Sequence, residues 1–376
     1  MKQRTAIVIG AGIVGLATAR ALSLKGYKVK IIERNQKAVG ASVRNFGMIW
    51  PIGQPAGNLY ERALRSKSIW KTICDEADIW YQEAGSVHVA HHEDEWQVLK
   101  ELHELFYKER PVELLTKPQI ENICAAAETQ TLLGGLYSKD EMIVNPVTAI
   151  EALAEYLSEK YGVEFLWGKC VSYIADSCAY IGNTEQHEAD CIFICSGADF
   201  ETLYPEDFGK LPFTKCKLQM MRTVTQPNEW RMGAALCGGL SLIHYKSFAT
   251  APSLALLKKR YENEMEEYTD WGIHVMACQN EYGQITIGDS HEYGLTHDPF
   301  DKQKINELIL SYLKKIARFK QWQITESWNG IYPKLTNGDT DLFYSPGQSV
   351  YIVNGLGGAG ITLSFGFAEE MINTLQ

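Results

Sequence analysis

The stretch TAIVIGAGIVG, residues 5–15, decides the fold of this 376-residue chain. Its first five residues form a short apolar, β-branched run, which is typical of a central parallel strand covered on both faces. Three glycines follow at the G-x-G-x-x-G spacing, and a helix is predicted to continue to about Lys25, where Gly26 can cap it. The next run, Lys28–Glu33, predicts a second strand that ends in an acid. Together these features predict a βαβ unit that binds a dinucleotide.

Each position in this loop has a physical role. Gly10 permits the tight turn, Gly12 lets the backbone approach a pyrophosphate, and Gly15 lets helix and strand pack closely. The helix N-terminus adds unpaired N–H groups and a partial positive charge. Glu33 is placed to accept a hydrogen bond from the 2′-hydroxyl of an adenosine ribose, and it would repel a 2′-phosphate, which disfavours NADP.

Two further glycine-rich segments distinguish FAD from NAD better than the first motif does. Residues 353–364 (VNGLGGAGITLS) predict another strand-to-helix turn far along the chain, and residues 40–47 (GASVRNFG) follow the second strand. A long flavin dinucleotide needs anchoring at both ends. A helix N-terminus near the flavin pyrimidine ring would stabilise the negative charge of the reduced ring by roughly 0.3–2 kcal/mol. The sequence therefore favours FAD over NAD.

Composition and charge exclude several classes of partner. Lys+Arg total 36 against 46 Asp+Glu, a formal charge of −10. Such a surface repels phosphate backbones and anionic lipid, so we expect neither nucleic acid nor membrane as a partner. The run Thr5–Leu24 is about long enough to span a bilayer, but Arg20 and the glycines inside it favour a buried strand, turn and helix. Nine scattered cysteines without a C-x-x-C pair indicate reduced thiols, so we expect a cytoplasmic protein.

The remaining patterns predict a mixed α/β fold whose two domains are interleaved along the chain. Helices are predicted at residues 59–83, 93–109, 147–160, 252–268 and 301–319. Strands are predicted at residues 86–90, 162–166, 171–174, 191–195 and 350–353, with a hairpin over 274–288.

The chain resembles the D-amino-acid oxidase / glycine oxidase / sarcosine oxidase superfamily of FAD proteins over nearly its whole length. The features that carry the resemblance occur in the family's order: the N-terminal fingerprint, Ala41-Ser42, Asn145-Pro146 with its helix, residues 194–198 (ICSGA), Gly288-Asp289-Ser290 and the C-terminal glycine turn.

The resemblance implies two domains. A Rossmann-like FAD-binding domain of parallel and antiparallel layers is expected at residues 1–85, 145–212 and 325–376. A β-rich substrate-binding domain, whose large mixed sheet covers the flavin, is expected at residues 86–144 and 213–324.

The sequence departs from the family at the positions used for covalent flavin attachment. Some members use a cysteine upstream of the final strand, and Gly330 stands there in this chain. Another branch uses a histidine in the N-terminal flavin loop, where this chain has Arg44 or Asn45. We therefore predict non-covalent FAD.

A second departure bears on the substrate. Amino-acid oxidases of this family carry an arginine in a Gly-x-Arg-Pro segment, which pairs with the substrate carboxylate. Tyr332 replaces that arginine here, so a plain α-amino acid is a less secure prediction. The combinations His244-Tyr245-Lys246 and Gly288-Asp289-Ser290-His291 resemble a branch associated with aminophosphonate breakdown.

The motifs and the resemblance together assign two sets of candidate residues. The candidates for FAD binding are Gly10, Gly12, Ile13, Val14, Gly15, Glu33, Arg34, Ala41, Ser42, Asn45, Phe46, Gly47, Val171, Ser196, Gly197, Gly355, Gly357, Gly358, Gly360, Ile361 and Thr362. The candidates for the substrate pocket are Arg44, His244, Tyr245, Lys246, His291, Tyr332 and Lys334. No ligand set accompanies the pair His91-His92, and no metal site is predicted.

The predicted function is that of an FAD-dependent amine oxidoreductase. It would oxidise the C–N bond of a small primary or secondary amine (an amino acid, an N-methyl amine or an aminophosphonate) to an imine by hydride transfer to flavin N5. Dioxygen or another acceptor would then take the electrons. Two alternatives stay open: an NAD-dependent dehydrogenase built on the same fingerprint, and a nucleotide-binding scaffold without turnover. The sequence specifies no oligomeric state.

Overall fold

The computed structural model describes residues 3–375, which form 21 strands and ten α-helices. The strands are β1 Thr5–Ile9, β2 Lys28–Glu33, β3 Met48–Ile49, β4 Tyr81–Gln82, β5 Ser86–Ala90, β6 Val112–Leu115, β7 Gly134–Ser138, β8 Met142–Val144, β9 Glu164–Trp167, β10 Tyr173–Ala175, β11 Cys178–Ile181, β12 Glu185–Glu188, β13 Cys191–Ile194, β14 Phe213–Thr223, β15 Ala235–Cys237, β16 Met276–Gln279, β17 Ile285–Gly288, β18 Glu292–Gly294, β19 Ile324–Leu335, β20 Leu342–Gly347 and β21 Val350–Asn354. The helices are α1 Ile13–Leu24, α2 Asn58–Ala77, α3 Glu93–Phe106, α4 Lys117–Ile123, α5 Pro146–Tyr161, α6 Pro205–Lys210, α7 Leu254–Glu264, α8 Glu266–Asp270, α9 Gln303–Ile316 and α10 Gly360–Asn373.

The predicted βαβ unit lies at the centre of a six-stranded sheet with the order β20-β21-β13-β1-β2-β9. Five of its strands run parallel, and β20 pairs antiparallel with β21 at one edge. Helices α1, α2, α5 and α10 cover one face of this sheet, and their side chains form one apolar core. Because the carboxyl ends of parallel strands meet at one edge, the loops after β1, β2, β13 and β21 lie near one another.

The second large sheet has nine strands in the order β18-β14-β17-β16-β15-β5-β7-β6, with β19 paired to β14. All of its pairs are antiparallel except that of β15 with β5. Together the two sheets confirm the predicted mixed α/β fold with a large mixed sheet. Residues 325–335, which the sequence analysis assigns to the FAD-binding domain, lie in β19 and pair with β14 of the nine-stranded sheet.

The two sheets meet through one face of the longest strand pair, β14 with β19. Cys216, Leu218 and Met220 alternate along β14 on this face, because successive side chains of a strand point to opposite sides. They pack together with Tyr332 of β19 and with Phe46 from the loop that follows β2. This contact fixes the segment 40–47 between the sheets, where the family resemblance expects the flavin.

Local sequence explains most of the elements, and the structure corrects two of them. Helix α5 begins after Asn145, whose side chain accepts a hydrogen bond from the Val147 amide over 3.2 Å. The single helix predicted at 252–268 is wrong: Met265 leaves the helical region at φ −135°, ψ 41° and divides it into α7 and α8. The strand predicted at 171–174 is displaced: β10 covers Tyr173–Ala175, and Val171 precedes it with its side chain buried.

No helix within residues 3–375 is both long and apolar enough to cross a membrane. The run Thr5–Leu24 instead forms β1, the glycine loop and α1, as the interruptions by Arg20 and by glycine indicated. The nine cysteines are all free, and seven of them are buried.

Candidate active site

The glycine loop after β1 has the geometry that the sequence predicts. Gly10 adopts φ +106°, and a Cβ at this position would overlap the carbonyl oxygen of Cys195. A Cβ at Gly15 would overlap the carbonyl oxygen of Gly10. Both positions therefore require glycine, and the backbone of α1 lies against the end of β1 as a dinucleotide-binding turn demands.

The N-terminus of α1 faces the segment 40–47. The helix begins after Gly12, and the Ile13 amide donates a hydrogen bond to Ser42 Oγ over 2.9 Å. Val14 follows in the same turn and packs against the helical layer. Main-chain donors and a hydroxyl thus lie together at a helix N-terminus, an arrangement suited to the phosphates of a dinucleotide.

The acid that ends β2 lies beside the same loop. Glu33 Oε2 accepts a hydrogen bond from the Ala11 amide over 2.9 Å, and Glu33 Oε1 accepts one from the Asn35 amide over 2.9 Å. The carboxylate is thus held at the end of the strand where the sequence places the adenosine ribose.

Two more predicted FAD contacts, Arg34 and Val171, lie at this edge. Arg34 forms an ion pair with Asp199. Burial by itself would raise the pKa of the Asp199 carboxyl. Hydrogen bonds from Arg34 and Thr202 outweigh this effect, so the pKa of the carboxyl is lowered to about 2. Val171 is buried in the core beneath the same sheet.

The segment 40–47 is held by its own asparagine. Asn45 Nδ2 donates hydrogen bonds to the carbonyl oxygens of Ala41 and Ser42, each over 2.9 Å. Asn45 Oδ1 accepts one from the Gly47 amide over 2.7 Å, and Gly47 adopts φ +76°. The compact turn directs the Phe46 ring to the nine-stranded sheet.

The ends of β13 and β21 are joined by side-chain hydrogen bonds. Ser196 Oγ donates to the carbonyl oxygen of Asp199 over 2.8 Å, and Asn354 Nδ2 donates to the carbonyl oxygen of Gly197 over 2.9 Å. The predicted contacts Ser196 and Gly197 are therefore next to the start of the C-terminal glycine turn.

The C-terminal glycine turn points to the N-terminal loop. Gly355 adopts φ +85°, and a Cβ at Gly360 would lie 3.7 Å from Ile13 Cγ2. Helix α10 therefore begins beside the first turn of α1, with Ile361 and Thr362 buried in its own first turn. The two glycine-rich turns, which are far apart in sequence, are neighbours at one edge of the six-stranded sheet.

This arrangement fits one extended dinucleotide. Gly10 and Gly15 allow the strand, the turn and the helix to pack closely, and a Cβ at Gly12 would lie 3.0 Å from Ser42 Oγ. Glu33 and the C-terminal turn lie at separate positions along the same edge. The residues that the sequence analysis names as candidates for FAD binding would hold FAD along this edge. The flavin end of the molecule would then lie toward the nine-stranded sheet.

A polar group on the facing sheet adjoins the C-terminal turn. The Tyr332 side chain is buried, and a Cβ added at Gly358 would lie 3.5 Å from its hydroxyl. The ring edge lies similarly close to Gly357. Lys334, two residues along the same face of β19, donates from Nζ to the Tyr293 hydroxyl over 2.9 Å. Two hydroxyls and one ammonium group therefore stand beside the end of the site predicted for flavin.

Three imidazoles continue this polar face. The ring centroid of His244 lies 3.9 Å from that of His274 and 4.5 Å from that of His291. His274 Nε2 lies 2.8 Å from Asp289 Oδ1, and His291 also stacks on Tyr293. Of these residues, sequence reasoning named His244 and His291 but missed His274 and the role of Asp289.

Burial sets the protonation of this face. It lowers the pKa of His291 to about 4, although the Asp289 carboxylate opposes the shift. Burial also raises the pKa of the Tyr332 hydroxyl, with a contribution from nearby Cys216, and lowers the pKa of the Lys334 ammonium. At neutral pH the His291 imidazole is neutral, and the Tyr332 hydroxyl keeps its proton.

The remaining candidates for the substrate pocket do not all lie beside the polar face. Tyr245 adjoins the imidazoles, since its ring centroid lies 5.0 Å from that of His244 and 5.8 Å from that of His274. Its hydroxyl donates to Met276 Sδ over 3.3 Å. Lys246 is exposed, and its Nζ donates to the Gly338 carbonyl oxygen over 2.7 Å. Arg44 lies beside Gly330 on the same face of β19 and donates to the Asn329 carbonyl oxygen. Together with Ala11 and Val43 it lines a cavity of about 580 Å³ beside α5, next to the glycine loop. Five of the seven candidates therefore come together: His244, Tyr245, His291, Tyr332 and Lys334.

Known proteins were compared with the chain at the levels of sequence and structure. A curated relative, the tRNA 5-methylaminomethyl-2-thiouridine biosynthesis bifunctional protein MnmC of Chromobacterium violaceum, is 26% identical over 250 residues, which cover 63% of this chain and 36% of the relative. The chain spans well under half the length of the curated relatives it matches.

Solved structures match over nearly all of the chain. L-proline dehydrogenase from P. horikoshii has a TM-score of 0.78 at 18% identity and covers 100% of this chain and 93% of its own. Glycine oxidase from Geobacillus kaustophilus has a TM-score of 0.75 at 20% identity and covers 99% of this chain and 95% of its own. At these identities the likeness establishes the fold.

The fold and the site define a dinucleotide-binding protein in which a broad sheet faces the nucleotide groove. The family model DAO, described as FAD dependent oxidoreductase, matches residues 5–374, so the chain belongs to this family of FAD-dependent oxidoreductases. The predictions of the family and of FAD as cofactor are confirmed, and the alternative of an NAD-dependent dehydrogenase is not supported. Non-covalent attachment of the flavin stays a prediction.

Proposed function

We propose that this oxidoreductase oxidises the C–N bond of a small primary or secondary amine to an imine, and that the amine carries an anionic group. The observation that carries the proposal is the position of Tyr332. Its hydroxyl adjoins the Gly357-Gly358 turn, where the flavin end of the groove lies, and Lys334 and Tyr293 stand next to it on the same face.

The polar face supplies what an anionic amine needs. FAD, when bound, supplies the acceptor for the hydride equivalent removed from the carbon next to nitrogen. Lys334 offers a cation, and the hydroxyls of Tyr332 and Tyr293 offer donors, for a carboxylate or phosphonate group. Together they would stand in for the arginine that Tyr332 replaces, and they would orient the amine with its C–H bond toward the flavin end of the groove.

The wall around this face is apolar. Met220, Met276 and Trp328 lie near the polar groups on the same sheet. Such surroundings reduce the solvation of a bound ammonium group and so favour the neutral amine that can be oxidised. The names of the similar structures, an oxidase of glycine and a dehydrogenase of L-proline, support an amino acid or related amine as substrate.

Anaerobic bleaching of the bound flavin tests the proposal. The FAD-loaded protein would be mixed with glycine, sarcosine, D-amino acids, N-methyl amines and aminoalkylphosphonates, each beside the hydroxy compound of the same carbon skeleton. We expect at least one amine to bleach the flavin while its hydroxy counterpart does not. Bleaching by the hydroxy compounds alone would replace the proposal with C–O oxidation.

A chemical reductant provides the control for this experiment. If dithionite bleaches the flavin but no compound of either kind does, the proposal of amine oxidation fails. For an amine that succeeds, admission of air separates an oxidase, which recovers its colour and forms hydrogen peroxide, from a dehydrogenase, which needs an added dye.

A further inference from the structure

We propose that Trp50 and His88 form a second polar subsite of the substrate pocket, which binds an uncharged oxygen atom on the part of the amine that lies away from its anionic group. The inference rests on the proposed function and narrows its substrate class to amines that carry such an oxygen. The two side chains are 5% and 1% exposed, and their ring centroids lie 6.0 Å apart. Trp50 follows β3, and His88 lies in β5 of the nine-stranded sheet.

Within residues 3–375, neither of these side chains has a hydrogen-bond partner. Trp50 Nε1 and both ring nitrogens of His88 are buried and unpaired. Burial lowers the pKa of His88 to about 3, so at neutral pH its imidazole has one N–H group and one lone pair. Unpaired polar atoms on two neighbouring buried rings are uncommon in folded proteins and call for a ligand.

The register of the nine-stranded sheet directs His88 to the face that covers the groove. Residues that pair directly on neighbouring strands point to the same face. One row of such pairs consists of His88, Cys237, Met276, Gly288 and Met220. Met220 packs with Phe46 of the segment 40–47, which lies between the two sheets. His88 therefore points to the same side of the sheet as the residues that contact this segment.

Trp50 connects the subsite with the flavin end of the groove. Its main-chain amide donates a hydrogen bond over 3.0 Å to Thr362 Oγ1, in the first turn of α10. The Tyr332 hydroxyl adjoins the same segment at Gly358. Trp50 and Tyr332 thus both adjoin residues 357–362, so a group bound by Trp50 would be a neighbour of the amine that is oxidised there.

A line of aromatic rings leads from solvent to the subsite. His244 is exposed and Tyr245 is half-buried, and their ring centroids lie 5.0 Å apart. The Tyr245 centroid lies 6.2 Å from that of Trp50. A Cβ at Gly53 would lie 2.7 Å from Trp50 Cδ1 and 2.8 Å from Tyr245 Cδ1. Because Cδ1 is bonded to Nε1, the indole edge that carries the N–H group lies beside the Tyr245 ring, on the side of the solvent.

The donors and charges around the subsite specify the ligand. Trp50 Nε1–H can only donate, so the ligand must offer an acceptor, which excludes an ammonium group. Ser86 lies two residues from His88 on the same face of β5, and its hydroxyl donates to the buried carboxyl of Glu141 over 3.1 Å. A second acidic group beside this carboxyl would be disfavoured. An uncharged oxygen suits Trp50, and a hydroxyl can in addition donate to the lone pair of His88.

Ligand binding to the FAD-loaded protein tests the subsite without turnover. The probes are ether carboxylates, in which an oxygen replaces the amine nitrogen so that no C–N bond can be oxidised. Two lengths are used, (2-hydroxyethoxy)acetate and [2-(2-hydroxyethoxy)ethoxy]acetate. Each is compared with the ligand in which a methyl group replaces the hydroxyl, propoxyacetate or (2-propoxyethoxy)acetate. The change in the flavin absorbance spectrum on titration gives each Kd.

Variants connect the preference for a hydroxyl to these residues. At one length or both, the wild type should bind the hydroxyl ligand roughly 5-fold more tightly than its methyl counterpart, and Trp50→Phe and His88→Leu should each reduce this preference to less than about 2-fold. Trp322→Phe, at a tryptophan stacked on Phe319, is the matched control and should keep the preference. No preference in the wild type, or the same preference in Trp50→Phe, would overturn the proposal.

Stability provides a second measurement on the same variants. In the protein without substrate, the unpaired nitrogens of His88 are unfavourable, so His88→Leu should keep or raise the midpoint of denaturant unfolding. A lower midpoint together with an unchanged ligand preference would show that His88 serves the fold alone, and the proposal would fail. Because no turnover is measured, this failure is distinct from a failure of amines to bleach the flavin.

Discussion

At the scale of the residue, Tyr332 is the position at which this chain differs most instructively from the amino-acid oxidases it resembles. A hydroxyl can donate one hydrogen bond to an anionic group, whereas an arginine offers a planar pair of donors and a full charge. Tyr332 is buried, and its hydroxyl is directed to the glycine turn at the flavin end of the groove. The charge that the arginine would supply comes instead from Lys334.

Tyr332→Phe tests this assignment. Removal of one hydrogen bond of about 0.5–1.5 kcal/mol should raise KM for the best amine by roughly 2- to 12-fold and change kcat little. The phenyl ring preserves the packing, so flavin content should stay constant. Tyr344→Phe, which removes a hydroxyl bonded to Asp207, is the control. Steady-state kinetics with an unchanged kcat/KM in Tyr332→Phe would contradict the role.

At the scale of the element, a buried lysine fastens the chain segment before α9 to the outer face of β14. Lys217 Nζ donates to the carbonyl oxygens of Asp298 and Phe300 over 3.0 and 2.9 Å. It also lies 3.0 Å from Asp301 Oδ1, and its side chain is only 2% exposed. Because β14 pairs along its length with β19, which carries Tyr332 and Lys334, this attachment supports the strand pair that positions the site.

Lys217→Met should therefore destabilise the fold. It removes the charged donor of two hydrogen bonds and the ion pair with Asp301, at a cost of about 1–3 kcal/mol in the free energy of unfolding. Lys215→Met is the matched control, since Lys215 lies on the same face of the strand but pairs with the exposed Glu201, and it should cost less than about 1 kcal/mol. Denaturant unfolding measures both. Equal losses would show that the buried attachment is no stronger than a surface pair.

At the scale of the whole molecule, Glu141 connects parts of the structure that are distant in sequence. Its carboxylate accepts hydrogen bonds from the Ile52 amide over 2.9 Å and from Ser86 Oγ over 3.1 Å. Burial nevertheless dominates, and it raises the pKa of this carboxyl to about 7, helped by the neighbouring charge of Asp140. The folded state thus holds a proton that the unfolded chain releases near its ordinary value of 4.5.

The sign of the pH effect follows from this raised pKa. The contribution of Glu141 is complete below about pH 4.5 and is lost as the pH rises through about 7. The contribution of Glu141 to the free energy of unfolding should therefore fall between pH 5 and 8, by at most on the order of 3 kcal/mol, and Glu141→Gln should remove that fall. Buried histidines such as His88, whose pKa burial lowers to about 3, act in the opposite direction.

The comparison of wild type with Glu141→Gln isolates the effect, because the histidines are common to both. Denaturant midpoints at pH 5, 6, 7 and 8 would measure it, with Glu113→Gln, an exposed carboxylate paired with Lys139, as control. A difference between wild type and Glu141→Gln that does not vary with pH would contradict the prediction.

Sequence reasoning succeeded where a feature is local. The loop at residues 10–15 joins a strand to a helix over a few residues, so spacing alone predicts its backbone and its ligand class. It failed for β19, because Gly330 and Pro333 interrupt the pattern of a strand. The structure accommodates the proline because β14 is the one described strand that pairs with β19. The other side of β19 makes only an isolated bridge between Lys334 and Leu356, so a missing N–H at Pro333 costs little.

The sequence by itself determined the dinucleotide loop, the family and FAD as cofactor, because these depend on contiguous residues whose backbone geometry glycine dictates. Only the tertiary structure decided how the polar face is composed. His274 meets Asp289 because β16 and β17 pair antiparallel, with Met276 opposite Gly288, and His244 joins them from a segment outside both strands. Such register follows from the packing of the whole sheet, since one residue of slippage would turn each of these side chains to the opposite face.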